Sequence, residues 1–548
     1  MTASALHPLA RVLEFTARGW WGPDTIGGLF ERQVRARPGA LAIVDSPDKV
    51  ELTGIEPHRW SWARLDVEVD RIAALLQRHG VGPGEIVGVQ LPNCVELVAT
   101  FLAVLRLGGV VCPLPVQYRE YELRALLPLA GARTFVTATR IGARAHAEIA
   151  RQVCGEVVTV IAFGPNVPAR VVSVAAAPNT APVRSYTPDP NHCATICWTS
   201  GTESTPKAVP RAHYDWLAIA RPCADAPTLT ADDVILNPFP LVNMAGIAGT
   251  LLPWLLTGCR FVLHHPFRLP TFLRQVAEEH ATYTVAPPAV LTLVLRKEGL
   301  ELGSLRAIGS GSAPLAPSMV RGWQERHGIP IINFFGSNEG TALLSAPADF
   351  PDPEVRARFF PRYDAPGSTW STRAAEWVRT RLVDPVTERE VTEPGHAGEL
   401  RIAGPTVFPG YLLGTGDDPF DELGYLRTGD LFEIAGDRGQ YLRYVDRAKD
   451  LIIRGGMNIA PAEVEALLVS HPGVADVAVV GYPDDVLGER ACAFVVAAGQ
   501  APTAAELTEH LRARGIASYK LPERFEFVDA LPRNPIGKLL KRELRERL

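Results

Sequence analysis

The sequence predicts an α/β protein: a large N-terminal domain of layered αβ sheets carrying a small β-barrel-like unit, followed by a small α+β C-terminal domain. Three observations predict this. Short apolar runs that each end in loop residues alternate with helical patterns up to residue 340. From about residue 381 the texture changes to shorter elements with frequent turns. A compact, charge-dense segment then opens at DRAKD, residues 446–450.

The apolar runs come in order: EIVGVQLPN at 85–93, GVVCPLP at 109–115, RTFVTA at 133–138 and VVTVIAF at 157–163. Between them lie stretches such as Arg64–His79, in which Val67, Ile72, Leu75 and Leu76 are expected to share a buried face while Arg64, Asp66, Asp70 and Arg78 stay outside. Strand alternating with helix implies parallel sheets covered on both faces. The rhythm continues through DVILNPFP at 233–240, CRFVLHH at 259–265, ATYTVAPP at 281–288, SLRAIGSGSAPL at 304–315 and IPIINFFGSNEG at 329–340. In such sheets ligands sit beyond the carboxyl ends of the strands, so the loops after these runs are where chemistry is expected. The stretch from 381, RLVDPVTEREVTEPGHAGELRIAG, predicts antiparallel β structure. After 446 come a helix (AEVEALLVSH), two strands (ADVAVVGYP, ACAFVVAA), a helix (AAELTEHLRARG) and a strand (RFEFVDAL), a domain of its own.

Composition narrows the function. The 548 residues are 47% hydrophobic and 21% charged, ordinary globular usage with enough apolar surface for several cores. Gly and Pro, 47 each, together exceed the usual share and imply many specialised loops. A net charge of −5 lacks the basic excess that phosphate backbones select, so nucleic acid is a poor partner. The eight cysteines are scattered through apolar strings and read as reduced, buried thiols; Cys193 and Cys197 lack the further ligands of a zinc site. The first thirty residues hold no continuous apolar core of signal-peptide type, and the uncharged stretch from Val234 to Cys259 is broken by prolines, asparagines and glycines. A cytoplasmic protein without an integral membrane segment is expected.

The most distinctive local segment is TICWTSGTESTPKAVPRAH at 195–213, an apolar strand running into Thr199, Ser200, Gly201, Thr202, Glu203, Ser204, Thr205, Pro206 and Lys207. Hydroxyls and backbone N–H groups packed this closely after a strand can wrap an oligophosphate, with the lysine as a point charge. It is not a Walker loop, since no glycine immediately precedes the lysine. On its own it reads equally well as a polar turn.

Four further stretches, in order and spacing, decide between these: GSGSAPL at 309–315, FFGSNEG at 334–340, YLRTGDL at 425–431 and NPIGKLLKREL at 534–544. With them the sequence resembles, over essentially its whole length, the adenylate-forming superfamily of acyl- and aryl-CoA ligases, stand-alone aryl-acid adenylating enzymes and luciferases. The resemblance implies ATP-dependent activation of a carboxylic acid to an acyl-adenylate, with Mg²⁺ as cofactor. Pyrophosphate leaves, and the acyl group passes to a thiol. Chemistry of this kind depends mainly on positioning and charge neutralisation.

Carried over by position, the resemblance implies that Thr199, Ser200, Gly201, Thr202 and Lys207 hold the β- and γ-phosphates, that Glu339 holds Mg²⁺ and that Asn338 contacts the α-phosphate. Ser312, Ala313 and Pro314 would line the adenine and Phe335 stack on it, with Asn333, Phe334 and Gly336 in the same nucleotide segment. Asp430 would take the ribose hydroxyls and Arg447 the nucleotide. Lys538 would reach from the small domain to the carboxylate and α-phosphate; without the resemblance it reads as a solvated lysine in a basic tail. The division is expected at 445/446, with 1–445 holding the nucleotide and acid site and 446–548 forming a mobile lid hinged near Lys449. Arg454, Gly455 and Gly456 would then close on the thiol channel, although a plain β-turn also accounts for the glycines.

The chain departs from the family pattern at several places. Glu203 and Ser204 stand in the phosphate loop, and Ala208 stands where a glycine usually follows the lysine. Asn243 replaces the usual histidine of the next motif, and Phe335 and Asn338 replace a tyrosine and a threonine. Glu203 adds negative charge beside phosphates. The retained Glu339, Asp430, Arg447 and Lys538 favour an active enzyme over a non-catalytic nucleotide-binding relative, the third reading.

The expected acid pocket comprises Asn243, Met244, Ala248, Gly309, Ser310, Gly311 and Ser337, together with Phe335 and Gly336. These small and apolar groups with one amide describe a slot for a flat or cyclic hydrophobic acid. Met244 argues against the amino-acid and dihydroxybenzoate readers of the family, which place Asp or Asn there. The first expectation is therefore an aromatic or alicyclic carboxylate–CoA ligase, monomeric or homodimeric. The alternative loads the acid onto the phosphopantetheine arm of a carrier protein.

Overall fold

The computed structural model describes residues 5–177, 183, 186–199, 207–412, 418–454, 457–484, 486–514, 516, 518–534 and 539–548. Two mostly parallel sheets form the large domain. The seven-stranded sheet runs, in spatial order, Val172–Ser173, Thr159–Phe163, Thr134–Ala138, Ile86–Val89, Val110–Pro113, Cys193–Trp198 and Ala208–Ala212, the last antiparallel to its neighbour. The eight-stranded sheet runs Thr341–Ser345, Ile331–Gly336, Ala307–Gly311, Tyr283–Val285, Val234–Asn237, Arg260–Leu263, Leu41–Val44 and Arg59–Ser61, antiparallel only at its two edges. Each expected apolar run of the first 340 residues is a strand, because a strand buried on both faces reads as a continuous apolar string.

The main core joins side chains of both sheets (Val87, Val111, Ile235, Phe261) with those of the helices Trp62–Arg78, Val95–Arg106, His213–Asp225 and Leu252–Thr257. Every residue of Val95–Arg106 is buried, so this helix shows no amphipathic pattern in sequence. Trp62 and Trp254 stack at 4.7 Å across the same core; burying side chains of this size contributes about 2–3 kcal/mol each. The helix Trp62–Arg78 begins at Ser61, whose Oγ accepts from the Arg64 N–H at 3.2 Å. Its buried face carries Leu65, Val69, Ile72 and Leu76, spaced four, three and four residues apart. Val67 falls outside that stripe and is 52% exposed, which corrects the expected face.

The β unit is a five-stranded antiparallel sheet in the order Phe359–Pro361, Tyr441–Arg447, Leu426–Ala435, Ala397–Ala403 and Arg379–Val383. It opens earlier than residue 381. Its core, around Phe432, Leu442, Leu400 and Trp377, also takes in Val209 and Tyr214 beside the phosphate-loop strand and Trp21 of the N-terminal segment.

In the C-terminal part, Val474–Asp484 and Gly488–Ala497 form a long antiparallel pair, with Arg524–Phe527 parallel to the second strand. The helices Pro461–Val469 and Ala504–Ala513 pack onto the core of Ile452, Val464, Val479, Val495 and Leu507. Thr503 and Glu506 cap the second helix reciprocally. The expected division at 445/446 cuts the strand Tyr441–Arg447, which still pairs within the β unit at Asp430↔Arg447. The change of sheet comes at the single turn Ala448–Asp450, which contains Lys449. Asp446 ties the two sides together: its Oδ2 accepts from the Ala462 N–H at 2.8 Å, and burial holds its carboxyl up at about 6. Among the described residues no helix is long and apolar enough to cross a membrane.

Candidate active site

Four loops leave the carboxyl ends of parallel strands, one in the seven-stranded sheet after Trp198 and three in the eight-stranded sheet after Asn237, Gly311 and Gly336. The first is closed at its base by a mutual pair. The Thr199 N–H donates to the Lys207 carbonyl at 3.0 Å, and the Lys207 N–H donates to Thr199 Oγ1 at 3.3 Å. Ser200, Gly201, Thr202, Glu203 and Ser204 lie outside the described residues, as do Gly455, Gly456 and Lys538.

After Asn237 the chain turns at Pro240 and enters a short helical stretch. A Cβ on Gly246 would stand 2.2 Å from the Pro240 carbonyl oxygen, so only glycine fits this return. Asn243 caps the stretch: its Oδ1 accepts from the Gly246 N–H at 3.2 Å. The oxygen of the amide expected to face the acid is thus spent on backbone, which a helix start demands. Met244 is half-buried and Ala248 buried against the main core.

The third loop leaves Gly311 through Ser312, whose φ of +69° lies in the left-handed region. Ser312, Ala313 and Pro314 are exposed at the strand end, where an adenine wall is expected. Ser310 is corrected: its Oγ is buried and donates to the Ala286 carbonyl at 2.8 Å, on the sheet face opposite Gly309.

The fourth loop carries Ser337, Asn338 and Glu339. Ser337 Oγ accepts from the Glu339 N–H at 3.2 Å and so shapes the turn. Asn338 Oδ1 accepts from the Met244 N–H at 3.0 Å while its Nδ2 donates to the Trp198 carbonyl at 3.2 Å, joining three of the four loops. On the preceding strand the side chains alternate. Asn333 is buried and its Nδ2 donates to the Arg356 and Ala357 carbonyls, so it anchors a helix. Phe334 packs on the main core beside Gly309, where the acid is expected. Phe335 meets Phe432 edge to face at 4.9 Å, on the β-unit side where the nucleotide is expected.

Two site residues escape sequence reasoning. Tyr411 donates from its hydroxyl to Glu339 Oε1 at 3.1 Å, and its ring lies under the Lys207 ammonium at 4.9 Å. It links the two groups expected to meet phosphate and metal. Burial and the Glu339 charge push its pKa up, so it stays a donor. Arg211 is fully buried, donating through Nε and Nη2 to the Asn338 carbonyl at 2.9 and 2.6 Å and through Nη1 to the Thr406 carbonyl at 2.8 Å. Behind it, Asp215 accepts from the buried ring of His7 at 2.7 Å. An arginine inside the otherwise apolar strand AVPRA is the signal: a charge there must have partners.

The β unit completes the site. Asp430, buried, pairs with Arg447 Nε at 3.1 Å. Burial disfavours the Arg447 charge, yet Asp430, Tyr444 and Asp450 outweigh it and raise its pKa. Arg454 donates to Glu523 at 2.6 Å in the C-terminal sheet. Among the described residues no group of three or more His, Cys, Asp or Glu side chains could hold a metal alone. A single carboxylate beside a phosphate site fits Mg²⁺, which binds through one or two carboxylates plus substrate phosphates.

A family profile described as AMP-binding enzyme matches residues 30–412, and one described as AMP-binding enzyme C-terminal domain matches residues 463–538. The chain is 30% identical over 550 residues to a medium-chain fatty-acid–CoA ligase of Escherichia coli, covering 97% of this chain and 92% of that one. It is 31% identical over 554 residues to a salicyl-AMP ligase / salicyl-S-ArCP synthetase of Mycobacterium tuberculosis, covering 98% and 93%. Among solved structures, o-succinylbenzoate CoA synthetase from Bacillus subtilis with its acyl-adenylate superposes with a TM-score of 0.77 at 25% identity, covering 94% of this chain and 97% of that one.

Proposed function

The chain belongs to the AMP-binding enzyme family of acid-adenylating, AMP-forming ligases, and on that premise we propose that it activates an aromatic or alicyclic carboxylic acid and transfers it to the thiol of CoA. A carboxylate oxygen attacks the α-phosphorus of ATP, the bond from that phosphorus to the bridging oxygen breaks, and pyrophosphate leaves with the electron pair. The thiolate then adds to the acyl carbon, and AMP departs.

The observation that carries this reading is the three-way bond of Asn338. It brings the strand end at Trp198, the acid loop at Met244 and the Glu339 segment to one point, as an in-line attack between acid and nucleotide requires. Thr199 and Lys207 would take the outer phosphates. Glu339, held by Tyr411, would hold Mg²⁺, which neutralises phosphate charge when bound. Asp430 would accept from the ribose hydroxyls with Arg447 beside it. Lys538 would stabilise charge at the carboxylate and α-phosphate. The acid would lie against Met244, Ala248, Gly309 and Phe334, an apolar wall suited to a ring. The hinge would be the turn at Lys449, bringing Arg454 to the thiol.

A second reading, loading onto a carrier protein, is favoured by the similarity to a salicyl-S-ArCP synthetase. The two separate when the enzyme is given ATP, an accepted acid, and either CoA or a phosphopantetheinylated carrier, and the thioester is followed by mass spectrometry. Acyl-CoA at turnover rates supports the first reading; acylated carrier with no acyl-CoA replaces it with the second.

A further inference from the structure

The wall of the acid slot holds one polar group that the activation chemistry leaves unused. Tyr283 is fully buried, and its hydroxyl has no hydrogen-bond partner among the described residues. Buried hydroxyls are normally paired, so an orphan of this kind calls for a partner from outside the chain.

The register of the sheet shows which way the hydroxyl faces. Tyr283 lies opposite Ala307, and Val285 lies opposite Gly309. Yet a Cβ built on Gly309 would stand only 2.5 Å from Tyr283 Oη. The phenol therefore leans two residues along the strands, about 7 Å at the usual rise, toward the carboxyl ends where the site loops converge. Its hydroxyl takes the space that a side chain at 309 would fill. The same point lies 2.8 Å from Phe334 Cε2 and 3.1 Å from Val285 Cγ2, and Met244 and Ala248 belong to the same packed cluster. The other two atoms that close on this point are apolar carbons. Burial, reinforced by Cys223, pushes the phenol well above its ordinary pKa, so it remains neutral and can both donate and accept.

We propose that Tyr283 is a specificity-determining residue of the acid slot, and that the acid carries a hydroxyl, amino or carbonyl substituent, remote from its carboxylate, that hydrogen-bonds to the Tyr283 hydroxyl. This rests on the adenylation reading above and narrows its substrate class. A site built around a buried hydrogen-bonding group discriminates against an analogue that leaves the group unpaired far more strongly than an apolar pocket discriminates by size.

The test is acid-dependent ATP–pyrophosphate exchange with matched pairs: benzoate against its ring hydroxy and amino derivatives, and cyclohexanecarboxylate against its ring-hydroxylated forms. For the wild-type chain, at least one substituted acid is expected to exceed its parent about tenfold or more in kcat/KM. Tyr283→Phe, which keeps the ring and its packing, should reduce that ratio about tenfold, chiefly through KM. Gly309→Ala, whose added methyl displaces the hydroxyl, should reduce it as well. Parents that match or exceed every substituted acid overturn the inference, as does a ratio that survives Tyr283→Phe, and the adenylation reading then stands without it. Absence of exchange with every acid overturns both.

Discussion

Asn338 Oδ1 accepts the backbone N–H of Met244 at 3.0 Å, and the same amide donates to the carbonyl of Trp198 at 3.2 Å. One side chain thus fixes the acid loop against the end of the strand that leads into the phosphate loop. A threonine, the residue common in the family at this place, has one hydroxyl and no amide to span both. The second N–H of the same amide is left for an α-phosphate, so an asparagine in the role proposed above would hold nucleotide and loop at once.

Asn338→Ala is accordingly expected to raise KM for the acid about tenfold, since each lost hydrogen bond is worth about 1 kcal/mol, with a smaller change in kcat. Initial rates of exchange over a matrix of acid and ATP concentrations measure this. An unchanged acid KM would show that the loop is held by other contacts.

Arg211→Met removes the donors to the Asn338 and Thr406 carbonyls from a fully buried position and leaves Asp215 with less positive charge nearby. The expected cost is about 3 kcal/mol in urea unfolding, with exchange activity per folded molecule falling at least tenfold as the Glu339 segment loses its brace. Activity preserved in the folded fraction would reduce Arg211 to a stability element.

Tyr411→Phe deletes the hydroxyl that donates to Glu339 and keeps the ring under Lys207. Stability should change by no more than about 1 kcal/mol, while the Mg²⁺ concentration for half-maximal exchange shifts. A Mg²⁺ titration of wild type and variant decides this; coincident curves count against a role for Tyr411 at the metal.

Acid stability follows from two buried histidines. Burial, with Arg144 for one and His192 for the other, holds His146 down at about 4 and His213 down at about 3. The unfolded chain protonates both below about 6.5 while the native chain does not, so their contribution is present above that pH and lost as pH falls toward 4. Asp45 runs the other way. Burial and the charge of Glu96 hold its carboxyl above the usual carboxylate range against the pull of Lys49, so it favours the native state as pH falls. His213→Asn keeps an acceptor for the Ile26 N–H and should flatten the decline between pH 6.5 and 5 by about one proton, about 1.4 kcal/mol per pH unit. Urea unfolding at three pH values measures it; parallel declines would refute the assignment.

Lys538→Ala should abolish adenylation yet largely spare thioester formation from supplied acyl-adenylate, because its expected partners are the carboxylate and α-phosphate. Single-turnover assays of the two half-reactions separate them. Equal loss of both would remove Lys538 from the first step.

Much of the fold is legible in the sequence because each doubly buried parallel strand is a continuous apolar run ending in loop residues. The same property hides the faces. In IINFF, period-two alternation carries no polar signal, so Asn333 and Phe334 read as nucleotide neighbours, although one anchors a helix and the other packs on the main core. Ser310 and Asn243 look like pocket groups by composition, but their polar atoms answer backbone needs set by tertiary structure. Tyr411 and Arg211 act on residues 72 and 127 positions away in sequence, a relationship no local pattern encodes. The motifs of Glu339, Asp430 and Arg447 are what mark those residues as candidates in the sequence.

Acid-dependent exchange of labelled pyrophosphate into ATP, run with aryl, alicyclic and medium-chain acids at matched concentration, tests the adenylation chemistry most directly. Exchange dependent on Mg²⁺ is expected with at least one aromatic or alicyclic acid. No exchange with any acid, from folded protein that still binds ATP, would contradict the adenylation reading.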